Sequence, residues 1–168
     1  MATKKEKTLT DLFEDGLKDI YYAEKKILAA LPKMAKATQT EELAAAFEKH
    51  REETEQQVER LEQVFETFDQ KAKGKKCPGI DGIIEEGQEI MKEFRGMPAL
   101  DAGLLAAAQA VEHYEITRYG TLIAWAEKIG LRDAVPLLKE NLEEEKSTDR
   151  TLTELAETAV NQYAEAAE

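Results

Sequence analysis

Two glutamates that interrupt apolar helical stripes are the feature of this sequence that most restricts its fold. Glu24 and Glu115 occupy positions where the helical spacing of their neighbours predicts a leucine. The stripe around Glu24 consists of Phe13, Leu17, Ile20, Ile27, Leu28 and Leu31, and the stripe around Glu115 of Leu104, Ala108, Val111, Tyr119 and Leu122. An ionised carboxylate in a helical core is costly unless it is paired or bound to a metal. The pattern therefore predicts helices that pack around a positively charged group.

The composition indicates a one-domain, all-α protein. The 168 residues are dominated by Ala, Leu, Glu and Lys, with nine Gly and four Pro. The net charge of −12 argues against a nucleic-acid surface and against an anionic membrane as partners. No stretch approaches the roughly 18–20 apolar residues of a membrane span. Because the chain also shows no secretory signal and has one cysteine, Cys77, we expect a cytoplasmic protein.

Apolar periodicity and turn signals predict four long helices, A to D, within residues 8–168, after a charged tail at residues 1–7. We expect helix A at about 8–36 with a kink or break at Pro32, B at about 40–70, C at about 101–129 and D at about 132–159. A short helix is expected at about 80–94, between B and C. Short loops make A–B and C–D antiparallel hairpins. The long B–C crossover then predicts a ferritin-like antiparallel four-helix bundle.

An internal repeat supports this arrangement. Helix A aligns with helix C as IYYAEKKILAAL with VEHYEITRYGTL, which places Glu24 opposite Glu115. Helix B aligns with helix D as EETEQQVERL with EEEKSTDRTL, which places Glu53 opposite Glu144. The repeat predicts a duplicated hairpin in which each helix contributes one carboxylate to a shared site.

The carboxylates predict a dinuclear metal site. Such a site in a bundle takes one Glu from each of two helices and a Glu-x-x-His from each of the other two. Residues three or four apart share a helical face and can reach the same ions. Oxygen ligands with one or two imidazoles suit iron or manganese. The predicted ligands are Glu24, His50, Glu53, Glu112, Glu115 and Glu144.

Two features of this ligand set remain open. The alignment favours Glu144 on helix D, whereas the helical phase places Glu145 nearer the centre of the stripe; we choose Glu144. The expected histidines are replaced by Gln56, three residues after Glu53, and by Ser147, three residues after Glu144. A site this poor in histidine is compatible with two ions, with one, or with none.

The sequence resembles the YciF/YciE-type ferritin-like stress proteins of bacteria over about residues 8–162. The resemblance is carried by LFxDxLKDIYYAEKKIL (12–28), FEKHREET (47–54), KCPGIDGIIEEG (76–87), AAAQAVEHYEITRYGTLIAWA (106–126) and LEEEKSTDRTLTELAETAVN (142–161). It implies a ferritin-like bundle with a dinuclear metal-binding motif, a homodimer and a link to stress responses. It implies no particular reaction.

Two functions follow as expectations. The first is a stress-associated protein whose iron or manganese centre handles peroxide, oxygen or Fe(II), with catalysis left open. The second, motivated by the missing histidines, is a metal-free helical protein that dimerises or binds a partner. A large iron-storage cage is less favoured, because the sequence shows no symmetry-axis signature and the family it resembles is dimeric.

Overall fold

The computed structural model describes residues 6–167, and among these residues it contains helices and no strand. The helices are α1 (Leu9–Ala37), α2 (Glu41–Glu66), α3 (Pro78–Glu93), α4 (Leu100–Ile129) and α5 (Ala134–Leu155). A π-helical turn (Ala156–Val160) and a short α6 (Asn161–Glu165) follow. Residues 1–5 of the predicted tail lie outside the described residues. None of the described helices combines the length and the hydropathy required to cross a membrane.

The helices begin and end close to the predicted positions. Thr8 and Asp11 form a capping box at the start of α1, and Gly130 ends α4 in the left-handed conformation, with φ of 82°. Contrary to the expected break, α1 continues through Pro32 to Ala37, since Leu31 and Met34 on either side are buried in the core. Helix α2 ends at Glu66, a few residues earlier than predicted.

The four long helices form an antiparallel bundle with ferritin-like topology. Helices α1 and α5 each pack against both α2 and α4, so they lie on a diagonal. Neighbouring helices run in opposite directions, because residues near the start of one contact residues near the end of the next. The contacts that establish this are Tyr21 with Glu62, Gln39 just after α1 with Asp101 in the first turn of α4, Arg60 with Glu140, and Gln109 with Thr153. The predicted fold class is confirmed, and the long α2–α4 crossover carries α3, which packs on α1 and α4.

The hydrophobic core runs along the bundle axis and surrounds a polar layer. Burying these side chains is the main favourable contribution to folding. The largest fully buried apolar side chains are Phe13, Leu17, Ile20, Leu43, Phe47, Leu61, Phe65, Ile80, Leu104, Leu122 and Leu138. Helix α3 contributes few of them, because its outer face stays in water.

Asp101 at the start of α4 forms hydrogen bonds that hold the α1–α2 loop in place. Its carboxylate accepts hydrogen bonds from the backbone N–H of Gln39 (2.9 Å) and of Thr40 (2.9 Å), and from the Thr40 hydroxyl (2.8 Å). Thr40 is the N-cap residue of α2, but its own side chain makes no capping bond. A buried aspartate from another helix therefore satisfies the exposed donors at this helix start.

Replacing this carboxylate should destabilise the bundle. We expect Asp101→Ala to lower the free energy of unfolding by about 2 kcal/mol, because it leaves the partly buried backbone donors of Gln39 and Thr40 without their acceptor. Asp133→Ala is the matched control, since Asp133 is the N-cap residue of α5 and makes no side-chain capping bond; its effect should stay within about 0.5 kcal/mol. Urea denaturation of both variants measures the difference, and equal losses would contradict the assignment.

Candidate metal centre

A layer of ionisable side chains crosses the middle of the bundle. Glu24 comes from α1, His50 from α2, Glu112 and Glu115 from α4, and Glu145 from α5, so all four long helices contribute. Each of these side chains is buried. Glu112 and Glu115 are three residues apart and therefore project from the same face of α4.

The side chains converge to within the range of a single ion. His50, Glu112, Glu115 and Glu145 each offer one donor atom, and these atoms all lie within 4.8 Å of one another. Two ligands on opposite sides of a metal at about 2.1 Å are separated by about 4.2 Å, so only a small contraction would be needed. Nε2 of His50 is 3.3 Å from Oε1 of Glu112, without the alignment of a hydrogen bond. We call these four residues the carboxylate–histidine cluster.

Most donor atoms of the layer, which comprises the cluster and Glu24, are buried without a hydrogen-bond partner within residues 6–167. These atoms are both oxygens of Glu115 and Glu145, Oε2 of Glu24 and Glu112, and both ring nitrogens of His50. Buried polar atoms in folded proteins are normally hydrogen bonded, and leaving one unsatisfied costs about 1–3 kcal/mol. The residues present therefore fit a cation bound between the helices.

Burial shifts the protonation of every member of this layer. It raises the pKa of Glu24, Glu112 and Glu115 well above the ordinary value, and the charge on Glu145 adds to the effect. It also raises the pKa of Glu145 to about 7 and lowers the pKa of His50 to about 4. His50 is therefore neutral at pH 7, which leaves one ring nitrogen free to donate its lone pair.

A polar chain behind the layer positions Glu24. The buried hydroxyl of Tyr119 donates a hydrogen bond to Oε1 of Glu24. The same hydroxyl accepts one from Nδ2 of Asn141 (3.0 Å), which also lies 3.3 Å from the Gln57 carbonyl oxygen and donates to it. Sequence reasoning treated Tyr119 as a member of the apolar stripe and did not single out Asn141. The sequence signal for Asn141 was a polar side chain at a position within the apolar stripe of α5.

Glu144 lies outside the cluster, which differs from the placement chosen from the internal repeat. Its carboxylate forms a two-bond pair with Arg60, at 2.8 Å to Nη1 and 2.9 Å to Nη2, and also accepts from Nε2 of Gln57. Glu145 occupies the inward position instead, as the helical phase indicated. The internal repeat aligned helix D one residue away from the inward position. Consecutive residues of a helix point about 100° apart, so Glu144 faces the rim, where it pairs with Arg60.

Glu53 also lies at the rim. Its side chain is 20% exposed, with Oε1 3.1 Å from Nζ of Lys49, and Oε2 accepts a 3.4 Å hydrogen bond from Thr148. Of the six residues proposed from the sequence, the structure thus buries four together in one layer, Glu24, His50, Glu112 and Glu115, and leaves Glu53 and Glu144 partly exposed on the α2–α5 side.

The fold and the polar layer together define an antiparallel, ferritin-like helical bundle with a buried carboxylate–histidine cluster. The chain belongs to the family described as "Domain of unknown function (DUF892)", which matches residues 8–165. It is 50% identical over 160 residues to Protein YciF of Escherichia coli K12, covering 95% of this chain and 96% of that protein. The resemblance expected from the sequence motifs is thereby confirmed.

Solved structures show the same fold. The E. coli stress protein YciF superimposes with a TM-score of 0.88 at 50% identity, covering 93% of this chain and 99% of that chain. YcfI of Rhodopseudomonas palustris, described provisionally as a structural protein, gives a TM-score of 0.86 at 48% identity, covering 91% of this chain and 98% of that chain. A Xanthomonas campestris protein at 23% identity gives a TM-score of 0.73 and covers 94% of this chain and 97% of that chain. That likeness extends to the fold alone.

Proposed function

We propose that this protein binds up to two iron or manganese ions in the buried layer formed by Glu24 and the carboxylate–histidine cluster, as a cytoplasmic protein of bacterial stress physiology. The observation that carries the proposal is the set of buried carboxylate oxygens and ring nitrogens without hydrogen-bond partners. Four carboxylates, those of Glu24, Glu112, Glu115 and Glu145, and one imidazole suit iron or manganese better than softer metals. The description of the E. coli relative as a stress protein supports the physiological setting.

Some residues of the layer would bind the metal directly, and others would hold the ligands in place. His50, Glu112, Glu115 and Glu145 would form one binding position, and Oε2 of Glu24 is a further free donor beside it. Tyr119 and Asn141 would hold Glu24 in place, as outer partners do in metal sites. Glu53 and Glu144 lie near enough to act on Glu145 electrostatically, and each is paired with a cationic side chain, Lys49 for Glu53 and Arg60 for Glu144. Iron or manganese, when bound, supplies one-electron redox chemistry toward oxygen or peroxide.

Metal titration tests this proposal. We expect calorimetric titration with Mn(II), and anaerobic titration with Fe(II), to give stoichiometric binding of one or two ions per chain. Saturation at a hundred times the dissociation constant should stabilise the fold by about 3 kcal/mol. The double variant Glu24→Ala, Glu115→Ala should bind neither metal. Absence of uptake by the wild-type protein, or equal uptake by the variant, would contradict the proposal.

A second candidate is a metal-free structural or interaction protein. Its support is that burial raises the pKa of Glu24, Glu112 and Glu115, so the carboxyl groups can stay protonated and share protons as pairs. The provisional description of YcfI as a structural protein points the same way. In that case neither metal addition nor chelator should change the melting temperature.

A homodimer is proposed as the assembly. The support is that Leu12 is half exposed and borders an open groove that Trp125 also lines, with the charged side chains of Asp15, Asp19 and Arg118 around it. Burial of this surface against a second copy would remove apolar area from water. Light scattering coupled to size exclusion should give twice the chain mass, and a monomer mass would contradict the assignment.

A further inference from the structure

A small apolar cavity lies between α1, α3 and α4, at the edge of the carboxylate–histidine cluster. Its volume is about 30 Å³. The wall includes Ile27 of α1, Ile84 and Gly87 of α3, and Ala107 of α4, while the cluster residues His50 and Glu112 also border it. The exposed residues Lys33 and Gln88 line its outer part. The cavity therefore reaches from the groove beside α3 towards the buried cluster.

The size and lining of this cavity select one class of ligand. A water molecule needs at least about 10–15 Å³ of such space, so about 30 Å³ suits a molecule of two heavy atoms. Apart from His50 and Glu112, the buried wall offers carbon rather than hydrogen-bonding groups. Apolar cavities stay dry and bind apolar guests such as xenon. A hydrated ion would lose its water shell at high cost, and a polar guest such as hydrogen peroxide would find hydrogen-bond partners only at the inner end, on His50 and Glu112.

We propose that this cavity is a binding site for dioxygen, which it holds beside His50 and Glu112. The cavity itself is independent of any metal, but delivery of dioxygen to a reactive centre rests on the proposed function. The partly exposed carboxylates Glu53 and Glu144 lie on a different side of the bundle, between α2 and α5, where they pair with Lys49 and Arg60.

Gly87 provides a way to fill the cavity with little disturbance. A Cβ atom at Gly87 would meet Cβ of Ala107 at 3.4 Å, an ordinary van der Waals contact. Gly87→Ala therefore adds a methyl group to the cavity wall. Gly82→Ala is the matched control, because Gly82 is on the same helix and its added Cβ would meet nothing within 4 Å. Both substitutions replace a helical glycine by alanine and so make the same change in helix propensity.

Xenon pressurisation of crystals tests the gas site without a metal. In the wild-type protein and in Gly82→Ala we expect xenon between Ile27, Ile84 and Ala107, and in Gly87→Ala we expect its occupancy to fall severalfold. A wild-type cavity without xenon, or equal occupancy in Gly87→Ala, would overturn the proposal.

A second measurement tests delivery. After anaerobic loading with Fe(II), Gly87→Ala should react with dissolved oxygen severalfold more slowly than wild type and Gly82→Ala, with unchanged Fe(II) stoichiometry. Equal rates in all three proteins would overturn delivery through the cavity. Failure of the wild-type protein to bind Fe(II) would refute the proposed function and delivery with it, and the xenon result would still decide the gas site.

Discussion

Glu145→Gln is expected to lower the affinity for Mn(II) or Fe(II) by more than about a hundredfold, since even residues behind the ligands contribute about 10–100-fold in metal sites. The neighbouring substitution Glu144→Gln should leave the affinity within a few-fold of wild type. The reason is geometric: Glu145 is fully buried with both carboxylate oxygens unpartnered, whereas Glu144 is paired with Arg60 at the rim. Titration calorimetry on the two variants measures the difference.

The two variants control for each other, because each removes one charge from adjacent positions of the same helix. Glu145→Gln should also raise the melting temperature of the metal-free protein at pH 8, since it removes a buried charge from the layer. Thermal unfolding in chelator checks that the variant is folded. A larger loss of affinity in Glu144→Gln than in Glu145→Gln would contradict this assignment and support Glu144, the ligand that the internal repeat suggested.

The metal-free protein is expected to lose stability as the pH rises from 5 to 8. Unfolded glutamates release their protons near pH 4.5, whereas the folded protein still holds them, because burial raises the pKa of Glu145 to about 7 and of Glu24, Glu112 and Glu115 well above the ordinary value. The unfolded state then binds fewer protons than the folded state, so the free energy of unfolding falls with pH. Glu145 alone accounts for about 3 kcal/mol.

His50 changes the stability in the opposite direction, over a lower pH range. Burial lowers its pKa from 6.5 to about 4, so between these values the unfolded state holds a proton that the folded state lacks, and stability rises with pH. One histidine offsets part of the loss caused by four carboxyl groups. Above pH 6.5 its contribution is constant, and the carboxyl groups alone set the slope.

Chemical denaturation in chelator at pH 5–8 measures this dependence. The double variant Glu115→Gln, Glu145→Gln is the control, and its slope should be much flatter, because surface groups titrate alike in both proteins. With saturating Mn(II) the wild-type slope should reverse, since the metal displaces protons from the carboxyl groups and binds more tightly as the pH rises. Parallel curves for wild type and variant would contradict the assignment of the slope to the buried layer.

The fold was predictable because long stretches with helical apolar spacing indicate the helices, and the lengths of the connections determine their relative directions. Gly130 ends α4 as expected, and the short connections between paired helices require antiparallel hairpins. The end of α2 was less accurate. The chain leaves that helix after Glu66, and Asp69 adopts a left-handed conformation with φ of 57°. Helix-end conformations of this kind depend on tertiary contacts, and the periodicity of apolar residues gives no information about those contacts.

The buried half of the candidate site was predictable for the same reason. Glu24 and Glu115 disrupt apolar stripes, and Glu112 shares the face of Glu115, so helix packing alone brings them inward. Helix D was harder, because three consecutive glutamates, Glu143 to Glu145, offer three different directions. The helical phase favoured Glu145, whereas the internal repeat favoured Glu144. The pair with Arg60 that holds Glu144 at the rim is a contact across the α2–α5 interface that no local pattern reveals.

The origin of the cluster residues has a consequence for how the bundle holds together. The α1–α2 hairpin supplies His50, and the α4–α5 hairpin supplies Glu112, Glu115 and Glu145, so neither hairpin carries the whole cluster. A metal bound there would couple the two hairpins into one cooperative unit, because opening either one would break the coordination. Metal occupancy should then slow amide hydrogen exchange in all four long helices together, including stretches of α1 and α5 that lie far from the ligands.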